Sequence, residues 1–353
     1  MKYSFLTSCI LFFTIYNTNS QVTLSADGAG NTYELINSVF APNYNVVEVP
    51  DCNHTSFGRH IDEIFDSELN KNIFRFFIHT ANDNDRCKNF DRQRNEIKAY
   101  DKSPDNLLGI EGENVIYKWK MKIDASFQAS PNFTHLHQLK SVGGDYSSIP
   151  MYTLTARKGT PDKLELRQTS TNDQETLKKV DLSLLKGHWV EITEKITYGV
   201  NSFYSIEIKR IDNGTIVFNY ENNNIDNWQS GAEFVRPKWG IYRSLINVQD
   251  LRDEEVLFAD FSVEEVNTLS VNDLKLNKFK LTPNPVSTEF YLNKETQNNF
   301  NSILIYNVLG KLVEKRNNIT SKIINVSNLK KGTYFFIFKQ DEKIVSKNTV
   351  LKN

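Results

Sequence analysis

The chain has 353 residues, of which 39% are hydrophobic and 24% charged, and its formal net charge is −1. That charge hides an asymmetry, because residues 269–353 carry 14 Lys/Arg against 6 Asp/Glu, whereas residues 1–268 carry 28 against 37. The length predicts two domains. The acidic balance of the larger one argues against general nucleic-acid binding, which requires a basic face.

The first 20 residues have the pattern of a secretory signal peptide. Lys2 precedes an apolar run over 4–15, and small and polar residues follow up to Ser20, which predicts cleavage near Ser20–Gln21. No other stretch is long and apolar enough to span a membrane. We therefore expect an exported, soluble protein.

Cysteine usage agrees with export. Cys9 lies within the signal peptide, so Cys52 and Cys87 are the cysteines of the mature chain. In an exported protein such a pair forms a disulfide more often than a metal site. We predict a Cys52–Cys87 disulfide with a structural role.

From about residue 70 to residue 267, short runs rich in β-branched and aromatic residues alternate with turn sequences such as "SVGGD" and "DNGT". The predicted strands are 73–80, 115–123, 134–140, 150–157, 163–169, 188–198, 202–211, 215–221, 238–244 and 256–266. One isolated helix over 60–71 is compatible with the pattern. Many short alternating strands predict an all-β, jelly-roll (concanavalin-like) two-sheet β-sandwich over residues 21–267.

Residues 268–353 have a different texture, with a linker-like start and a Pro283-Asn284-Pro285 turn. Strand-like runs follow, among them "IYNVLGK" around Gly310 and "LKKGTYFF" around Gly332. This region resembles the C-terminal sorting domain of the type IX secretion system. The resemblance implies a small β-sandwich, export across the outer membrane and no catalytic role. A plain accessory β-sandwich is the alternative.

Three predicted strands carry polar residues at alternate positions, which places those residues on one face of each strand. The first is a further candidate strand over 91–100, in which Arg94, Glu96 and Lys98 share a face. In the third, Lys238, Gly240, Tyr242 and Ser244 share a face, opposite Trp239, Ile241 and Arg243. The glycine leaves room for a ligand, and a tyrosine close to cations can move protons because its phenolate is stabilised. Solvated or ordinary amphipathic strands are the alternatives.

The second strand, "FTHLHQLK", is unusually polar. Alternation puts Thr134, Leu136, Gln138 and Lys140 on one side and His135, His137 and Leu139 on the other. Two histidines in this spacing could ligate a metal, but no third ligand is near in sequence, so we expect core or supporting histidines. The amide and ammonium of Gln138 and Lys140 suit a carboxylate ligand.

Together the three strands resemble the cleft strands of jelly-roll alginate lyases, which read R-x-E-x-R, Q-I-H and K-x-G-x-Y-x-Q. Here the same order gives Arg94-x-Glu96-x-Lys98, Gln138-Leu139-Lys140 and Lys238-x-Gly240-x-Tyr242-x-Ser244. Lysine stands where alginate lyases have the catalytic histidine, which puts alginate in doubt. Over residues 50–267 the chain is more similar to the jelly-roll ulvan lyases of polysaccharide lyase family 28, which are also secreted with a type IX tail.

This resemblance implies cleavage of a uronate polymer by β-elimination, with Lys140 and Tyr242 as the catalytic pair and Arg94 with Gln138 gripping the carboxylate. The residues expected to bind substrate are Arg94, Glu96, Gln138, Lys238, Arg243 and His137, the last only through a bulge. A local basic rim for sulfate groups would comprise Arg157, Lys158, Lys163, Arg236, Lys238 and Arg243. The chemistry requires no metal or other cofactor, although a structural calcium, common in such sandwiches, stays open.

We expect a monomer whose partners are an acidic polysaccharide and the type IX machinery, with glucuronan, alginate or a heparin-like polymer as alternative substrates. A sandwich-fold glycoside hydrolase would need two carboxylates at the bond, and the E-x-D-x-x-E strand of laminarinases is absent. A non-catalytic carbohydrate-binding sandwich would use tryptophans (Trp119, Trp189, Trp228, Trp239) as stacking platforms. Convergence of Gln138, Lys140 and Tyr242 in one cleft would favour the lyase.

Overall fold

The structure is a computed structural model that describes residues 20–266, 279–292, 300–319, 321, 323–340 and 343–353. The predicted signal peptide falls outside these residues, apart from Ser20. The chain divides into two compact units, residues 1–267 and 268–353. No helix in the described ranges is both long and apolar enough to cross a membrane.

The first unit contains fifteen described strands and one described α-helix. The strands are β1 (Ser20–Leu24), β2 (Val47–Glu48), β3 (Ile61–Asp66), β4 (Lys71–Ile78), β5 (Arg92–Lys98), β6 (Asn114–Ile123), β7 (Thr134–Val142), β8 (Tyr152–Arg157), β9 (Lys163–Gln168), β10 (Glu175–Asp181), β11 (Val190–Thr197), β12 (Ser202–Arg210), β13 (Ile216–Ile225), β14 (Phe234–Ser244) and β15 (Glu254–Glu265). The helix is α1 (Thr32–Phe40), and short 3-10 turns lie at Asp105–Leu107, Leu182–Leu184 and Val248–Asp250.

These strands form two antiparallel sheets. One sheet has the order β13-β12-β11-β6-β15-β4-β3, with β1 also paired to β15, and the other has the order β10-β9-β8-β7-β14-β5-β2. Trp119 of the first sheet lies 6.0 Å, ring centroid to ring centroid, from Trp239 of the second. The two sheets therefore pack face to face, which confirms the predicted all-β jelly-roll sandwich.

Strand alternation explains how the sequence fills the core between the sheets. On β12, Tyr204, Ile206 and Ile208 are each at most 1% exposed, and the side chains between them point to the opposite face. Burying apolar area contributes about 25 cal/mol per Å², so each inward-facing triplet of this kind stabilises its strand within the sandwich.

The helix considered for residues 60–71 is absent, and that prediction was wrong. Residues 61–66 form β3, which pairs with β4 in a hairpin, Ile61 opposite Phe76 and Ile64 opposite Ile73. Glu63 of β3 is buried, and its carboxylate accepts hydrogen bonds from the backbone N–H groups of Asp27 and Gly28, each at 2.8 Å.

The predicted disulfide is confirmed. Cys52 and Cys87 are bonded, with their Cα atoms 6.3 Å apart and a sequence separation of 35. Closing a loop of that length restricts the unfolded chain and contributes on the order of 3 kcal/mol. The bond ties the segment after β2 to the segment before β5.

The second unit is strand-rich in its described parts. It contains β16 (Leu281–Thr282), β17 (Glu289–Leu292), β18 (Ser302–Asn307), β19 (Leu312–Asn317), β20 (Ile323–Asn325), β21 (Gly332–Gln340) and β22 (Lys343–Lys352). The sheet β16-β17-β20 packs on the sheet β19-β18-β21-β22, with Phe290 of one 5.4 Å from Phe336 of the other. The unit is a small β-sandwich with its own apolar core.

Candidate active site

The three polar strand faces lie side by side. β14 is flanked by β7 and β5 in the middle of its sheet, and the register places Lys238 opposite both Gln138 and Lys98. Tyr242 lies opposite Arg94. Gln138, Lys140 and Tyr242 therefore converge on one cleft of about 610 Å³ on the outer face of this sheet.

The cleft is strongly basic, although the domain as a whole is acidic. The cationic side chains that line it are Arg86, Lys88, Arg92, Arg94, Lys98, Lys140, Arg236 and Lys238. Among the described residues Glu48 is the sole lining carboxylate. Aromatic rings of Tyr44, Tyr100, Phe133 and Tyr242 lie among them. A lining of this composition suits a polyanion with apolar ring faces, such as an acidic sugar chain.

A buried ion network forms the floor of the cleft. Glu96, 1% exposed, accepts hydrogen bonds from Arg94 and Gln138 and lies 2.6 Å from the Lys238 ammonium. Lys238 also contacts Glu48 at 2.6 Å, and Lys98 contacts Glu48 at 2.8 Å. Glu96 therefore has a scaffolding position beneath the substrate space, whereas the sequence interpretation placed it in contact with substrate.

The cations of the network keep both glutamates charged. Burial alone would raise the pKa of Glu48, but Lys238, Arg94, Lys98 and Arg86 outweigh burial and hold that pKa well below its ordinary value. Burial also raises the pKa of Glu96, but Lys238 and Arg94 outweigh burial and lower this pKa below its ordinary value. Neither carboxyl is available as a proton donor near neutral pH.

Lys140 has a different environment from its neighbours. Its ammonium donates to the Ser148 carbonyl at 2.8 Å and forms no ion pair with a carboxylate of the described residues. Burial, followed by repulsion from Lys238, Arg236 and Arg94, lowers the pKa of Lys140 to about 7. A substantial fraction of Lys140 is therefore a neutral amine at neutral pH, as a general base must be.

Tyr242 is held by two arginines. The Arg94 guanidinium lies 3.6 Å from the centroid of the tyrosine ring, and Arg92 donates to the hydroxyl oxygen at 3.0 Å. The hydroxyl donates no hydrogen bond within the described residues, so its hydrogen can point into the cleft. The arrangement suits proton donation to a leaving group.

A β-bulge in β7 changes which histidine reaches the cleft. The pairing of β7 with β8 shifts between His135 and His137, so Leu136 joins the core and His135 lines the cleft. The prediction that Leu136 shares a face with Gln138 was therefore wrong. His135 stacks on Phe133 with ring centroids 4.9 Å apart, and burial lowers its pKa to about 3. It is a neutral imidazole that alternation had assigned to the core.

Two expected substrate-binding residues lie away from the cleft. His137 is 1% exposed and points into the core, where it contacts Glu194 of the opposite sheet at 2.8 Å and packs against Trp119. Arg243 is fully buried and donates to the Gln93 side chain and to the Arg252 carbonyl, both at 2.8 Å. Both face the interior of the sandwich, so substrate contact for His137 and Arg243 is corrected to a structural position.

Position 240 requires a glycine because the backbone of the adjacent strand lies too close for a Cβ atom. Its φ is +145°, and a Cβ atom would lie 2.1 Å from the Asn95 carbonyl oxygen and 2.7 Å from Glu96 Cα. The expectation that this glycine makes room for a ligand is thus replaced by a different reason. It allows β14 to approach β5 closely enough to set Tyr242 opposite Arg94.

The predicted basic rim separates into two groups. Arg157, Lys158 and Lys163 are paired with Glu165, Asp250 and Asp181. Arg236 instead lines the cleft opposite Lys140, and its guanidinium forms no hydrogen bond or ion pair within the described part of the chain. It lies 4.5 Å from the Tyr100 ring centroid, and its Nε and Nη1 are buried without partners. An unpaired guanidinium in a cleft is a receptor for a carboxylate or sulfate.

Sequence reasoning missed several cleft residues, among them Glu48, Arg86 and Arg92. Arg92 lies on the same face of β5 as Arg94, so extending the alternation by two residues would have found it. Glu48 and Arg86 come from segments outside the three strands, and their position in the cleft depends on long-range folding that no local pattern reveals.

The comparison with family models agrees with export. Residues 280–352 match the family described as "Secretion system C-terminal sorting domain". The chain thus carries a type IX sorting domain and is an exported protein. No curated protein sequence matches the chain.

Similar solved structures include an endo-β-1,4-glucuronan lyase from the fungus Trichoderma reesei, with 13% identity, a TM-score of 0.44, and coverage of 70% of this chain and 96% of that one. An alginate lyase from Aplysia kurodai has 12% identity, a TM-score of 0.48, and coverage of 69% and 98%. An alginate lyase from Pseudomonas aeruginosa has 13% identity, a TM-score of 0.40, and coverage of 62% and 97%.

Proposed function

We propose that this exported protein is a polysaccharide lyase that cleaves a uronate-containing polyanion by β-elimination. The observation that carries the proposal is the pairing, in one basic cleft, of a lysine that is partly neutral at neutral pH with a tyrosine whose hydroxyl hydrogen is free. Eight cationic side chains surround this pair. A cleft of this composition attracts an acidic polymer and supplies both proton-transfer groups that elimination requires.

The first requirement of the reaction is to offset the charge of the C5 carboxylate, because further negative charge develops there as the C5 proton leaves. The Arg236 guanidinium, which has no hydrogen-bond partner within the described residues and lies opposite Lys140, can donate to that carboxylate. Gln138 donates one amide hydrogen to Glu96, and its second is available to the same carboxylate. This assignment moves the main cationic contact from Arg94 to Arg236, because Arg94 is engaged with Glu96 and Asp85.

The second requirement is proton transfer at both ends of the bond that breaks. The neutral amine of Lys140 accepts the C5 proton, the C–H electron pair becomes the C4–C5 double bond, and the C4–O4 bond breaks. The departing O4 takes the hydroxyl hydrogen of Tyr242. Each positioned proton transfer typically contributes about 10²–10⁴-fold to the rate. The products are a new reducing end and a 4,5-unsaturated uronate.

A glycoside hydrolase is disfavoured by the charge state of the cleft. Hydrolysis needs one protonated carboxyl and one carboxylate on either side of the bond. Glu48 and Glu96 are both held charged by their cations, and Glu96 lies beneath the cleft floor. A binding module that stacks sugars on tryptophan is disfavoured too, because Trp119, Trp189 and Trp239 are at most 3% exposed. Trp228 is partly buried and packs against the core.

We propose ulvan, a sulfated polymer, as the substrate. The support is the number of cations beyond those needed for one uronate carboxylate, since Arg86, Lys88 and Arg92 also line the cleft. Sulfate groups on neighbouring sugars would give Lys88 an anionic partner and would add one to Arg86 and Arg92, which already pair with Glu48, Asp85 and Asp91. Glucuronan, alginate and heparin-like polymers carry the same uronate chemistry with different spacing of charge, so a substrate panel separates them.

The test is ultraviolet absorbance after mixing the purified chain with ulvan, glucuronan, alginate or heparin. Elimination creates a double bond conjugated to the carboxylate, which hydrolysis does not. We expect absorbance to rise with ulvan and the rate to fall by about 10²–10⁴-fold in Tyr242→Phe. The matched control is Tyr291→Phe in the sorting domain, which should keep full activity. No absorbance change on any polymer, together with binding to one of them, would identify a binding module.

A further inference from the structure

Four side chains that take no part in the cleft converge on one point. His54 and His60 come from the segment before β3, and His79 and Asp83 from the segment after β4. One potential ligand atom from each nevertheless lies within 4.8 Å of the others. His60 is fully buried and Asp83 is 3% exposed. In the described part of the chain, no other group of His, Cys, Asp or Glu side chains is gathered in this way.

The donor atoms lie within 4.8 Å of one another. Asp83 Oδ1 lies 2.9 Å from His54 Nδ1 and 3.0 Å from His60 Nε2, and Asp83 Oδ2 lies 3.1 Å from His79 Nδ1. A zinc ion with bonds of about 2.0–2.1 Å has ligand atoms about 3.3 Å apart. The carboxylate–imidazole distances are already near that value, and the imidazole nitrogens, at most 4.8 Å apart, would move inward to enclose such an ion.

The surrounding groups also have the form of a metal site. His60 directs Nε2 to the cluster, and its other ring nitrogen, Nδ1, lies 2.7 Å from Asp51 Oδ1. The Tyr33 hydroxyl in turn donates to Asp51 Oδ2 at 2.9 Å. A carboxylate on the far nitrogen of a ligating histidine sets its tautomer and orientation, as in most zinc-bound histidines. The two positive charges of a zinc ion would balance the negative charges of Asp83 and Asp51.

We infer that His54, His60, His79 and Asp83 bind one zinc ion in a structural site. Nitrogen donors select zinc and its neighbours in the transition series, whereas calcium prefers a shell of oxygens. Four protein ligands leave no open position for water or substrate, as in structural zinc sites. The ion therefore supports the fold, and the reaction in the cleft proceeds without it.

The site stabilises one wall of the cleft. The Asp83 backbone carbonyl accepts from the Gln93 side chain at 3.0 Å, and two residues further on Asp85 bonds Arg94 at 2.9 Å and Arg86 at 2.8 Å. The Cys52–Cys87 bond joins the same two segments. Metal and disulfide together fix the loop that carries Arg86 and Lys88 into the cleft.

The test uses the full chain prepared without a histidine tag, stripped of metal by a chelator and titrated with Zn²⁺ and Co²⁺. We expect one zinc per chain by elemental analysis, a raised melting temperature, and the visible absorption of four-coordinate Co²⁺. His54→Ala should reduce zinc affinity by more than 100-fold, and Asp51→Asn, which removes only the support of His60, by about 10–100-fold. His188→Ala, a histidine in another part of the sandwich, is the matched control.

Two results would overturn the inference. One is a stripped protein that binds neither ion and does not gain thermal stability with zinc. The other is unchanged zinc stoichiometry and affinity in His54→Ala. Because His54 is partly exposed, its variant should fold, and the cobalt spectrum of the unsubstituted chain needs no variant. Neither readout depends on lyase activity, so the zinc site and the proposed reaction are tested separately.

Discussion

Lys140 and Lys238 lie on adjacent strands of the same cleft, and their partners give them different chemistry. Lys238 is 2% exposed and directs its ammonium at two carboxylates, each at 2.6 Å. Lys140 has a carbonyl oxygen as its partner and three cations nearby. Burial also lowers the pKa of Lys238, and that of Lys98 to about 8, but both of these ammonium groups contact carboxylates, whereas Lys140 has no such partner within the described residues. We therefore assign Lys140 as the base and Lys238 as a scaffold.

The pH dependence of the reaction should report this difference. A general base acts in its deprotonated form, so activity should rise with pH as Lys140 loses its proton. With a pKa of about 7, the rise in kcat/KM should be half complete near pH 7. The measurement is the initial rate of absorbance increase on ulvan across neutral pH at constant ionic strength. A rate that falls as pH rises through 7 would contradict the assignment.

Lys140→Arg sharpens this prediction. Arginine keeps the positive charge but does not deprotonate in proteins, so elimination should fall by about 10²–10⁴-fold while substrate binding persists. Lys195→Arg, on an exposed position of β11, is the matched control and should behave like the unsubstituted chain. Full activity in Lys140→Arg would show that the base is another group, with His135 the next candidate.

At the scale of the strands, the ion network couples β5 to β14 and to β2. Glu96 of β5 contacts Lys238 of β14, which also contacts Glu48 of β2. Removing one partner of a buried pair costs about 3–5 kcal/mol because the other charge stays buried. For Glu96→Gln we expect the free energy of unfolding to fall by about 3 kcal/mol, the lower end of that range, because Glu48 and Asp85 still neutralise Arg94. Urea unfolding measures the loss, and exposed Glu207→Gln should show almost none.

Gly240 offers a second test of the same strand pair. An alanine there would meet the Asn95 carbonyl at 2.1 Å in a backbone conformation with φ of +145°. Gly214→Ala is the control, since Gly214 also has positive φ but open space around it. We expect the free energy of unfolding to fall by about 1–2 kcal/mol in the control and by more than about 3 kcal/mol in Gly240→Ala. Equal losses of unfolding free energy would mean that close strand approach is not the reason for the glycine.

Strand alternation alone was enough to predict the cleft faces of β5 and β14. The same rule failed on β7, where one extra residue reverses the face of every side chain before it. Leu136 looks like any apolar strand residue, so nothing local marks the bulge that brings His135 to the cleft. The histidine cluster was missed for another reason, because His54, His60 and His79 are brought together only by the folded loops and hairpin.

At the scale of the whole molecule, positive charge is concentrated in the cleft rather than spread evenly. Residues 1–268 carry an excess of acidic side chains, yet eight cations line one cleft. The acidic remainder repels a polyanion, so the cleft is the favourable place for it to bind. Composition alone could not reveal this local reversal of sign.

The two units should also separate functionally. Each has its own apolar core, with Trp239 in the first and Phe336 in the second, and every residue assigned to the cleft lies before residue 267. A chain ending at residue 267 should therefore keep the kcat/KM of the full chain on ulvan, measured by the same absorbance assay, and its melting temperature for the first unit. It should lose export in a type IX host, because residues 280–352 carry the sorting domain. A truncated chain that folds but is inactive would show that the second unit contributes to catalysis.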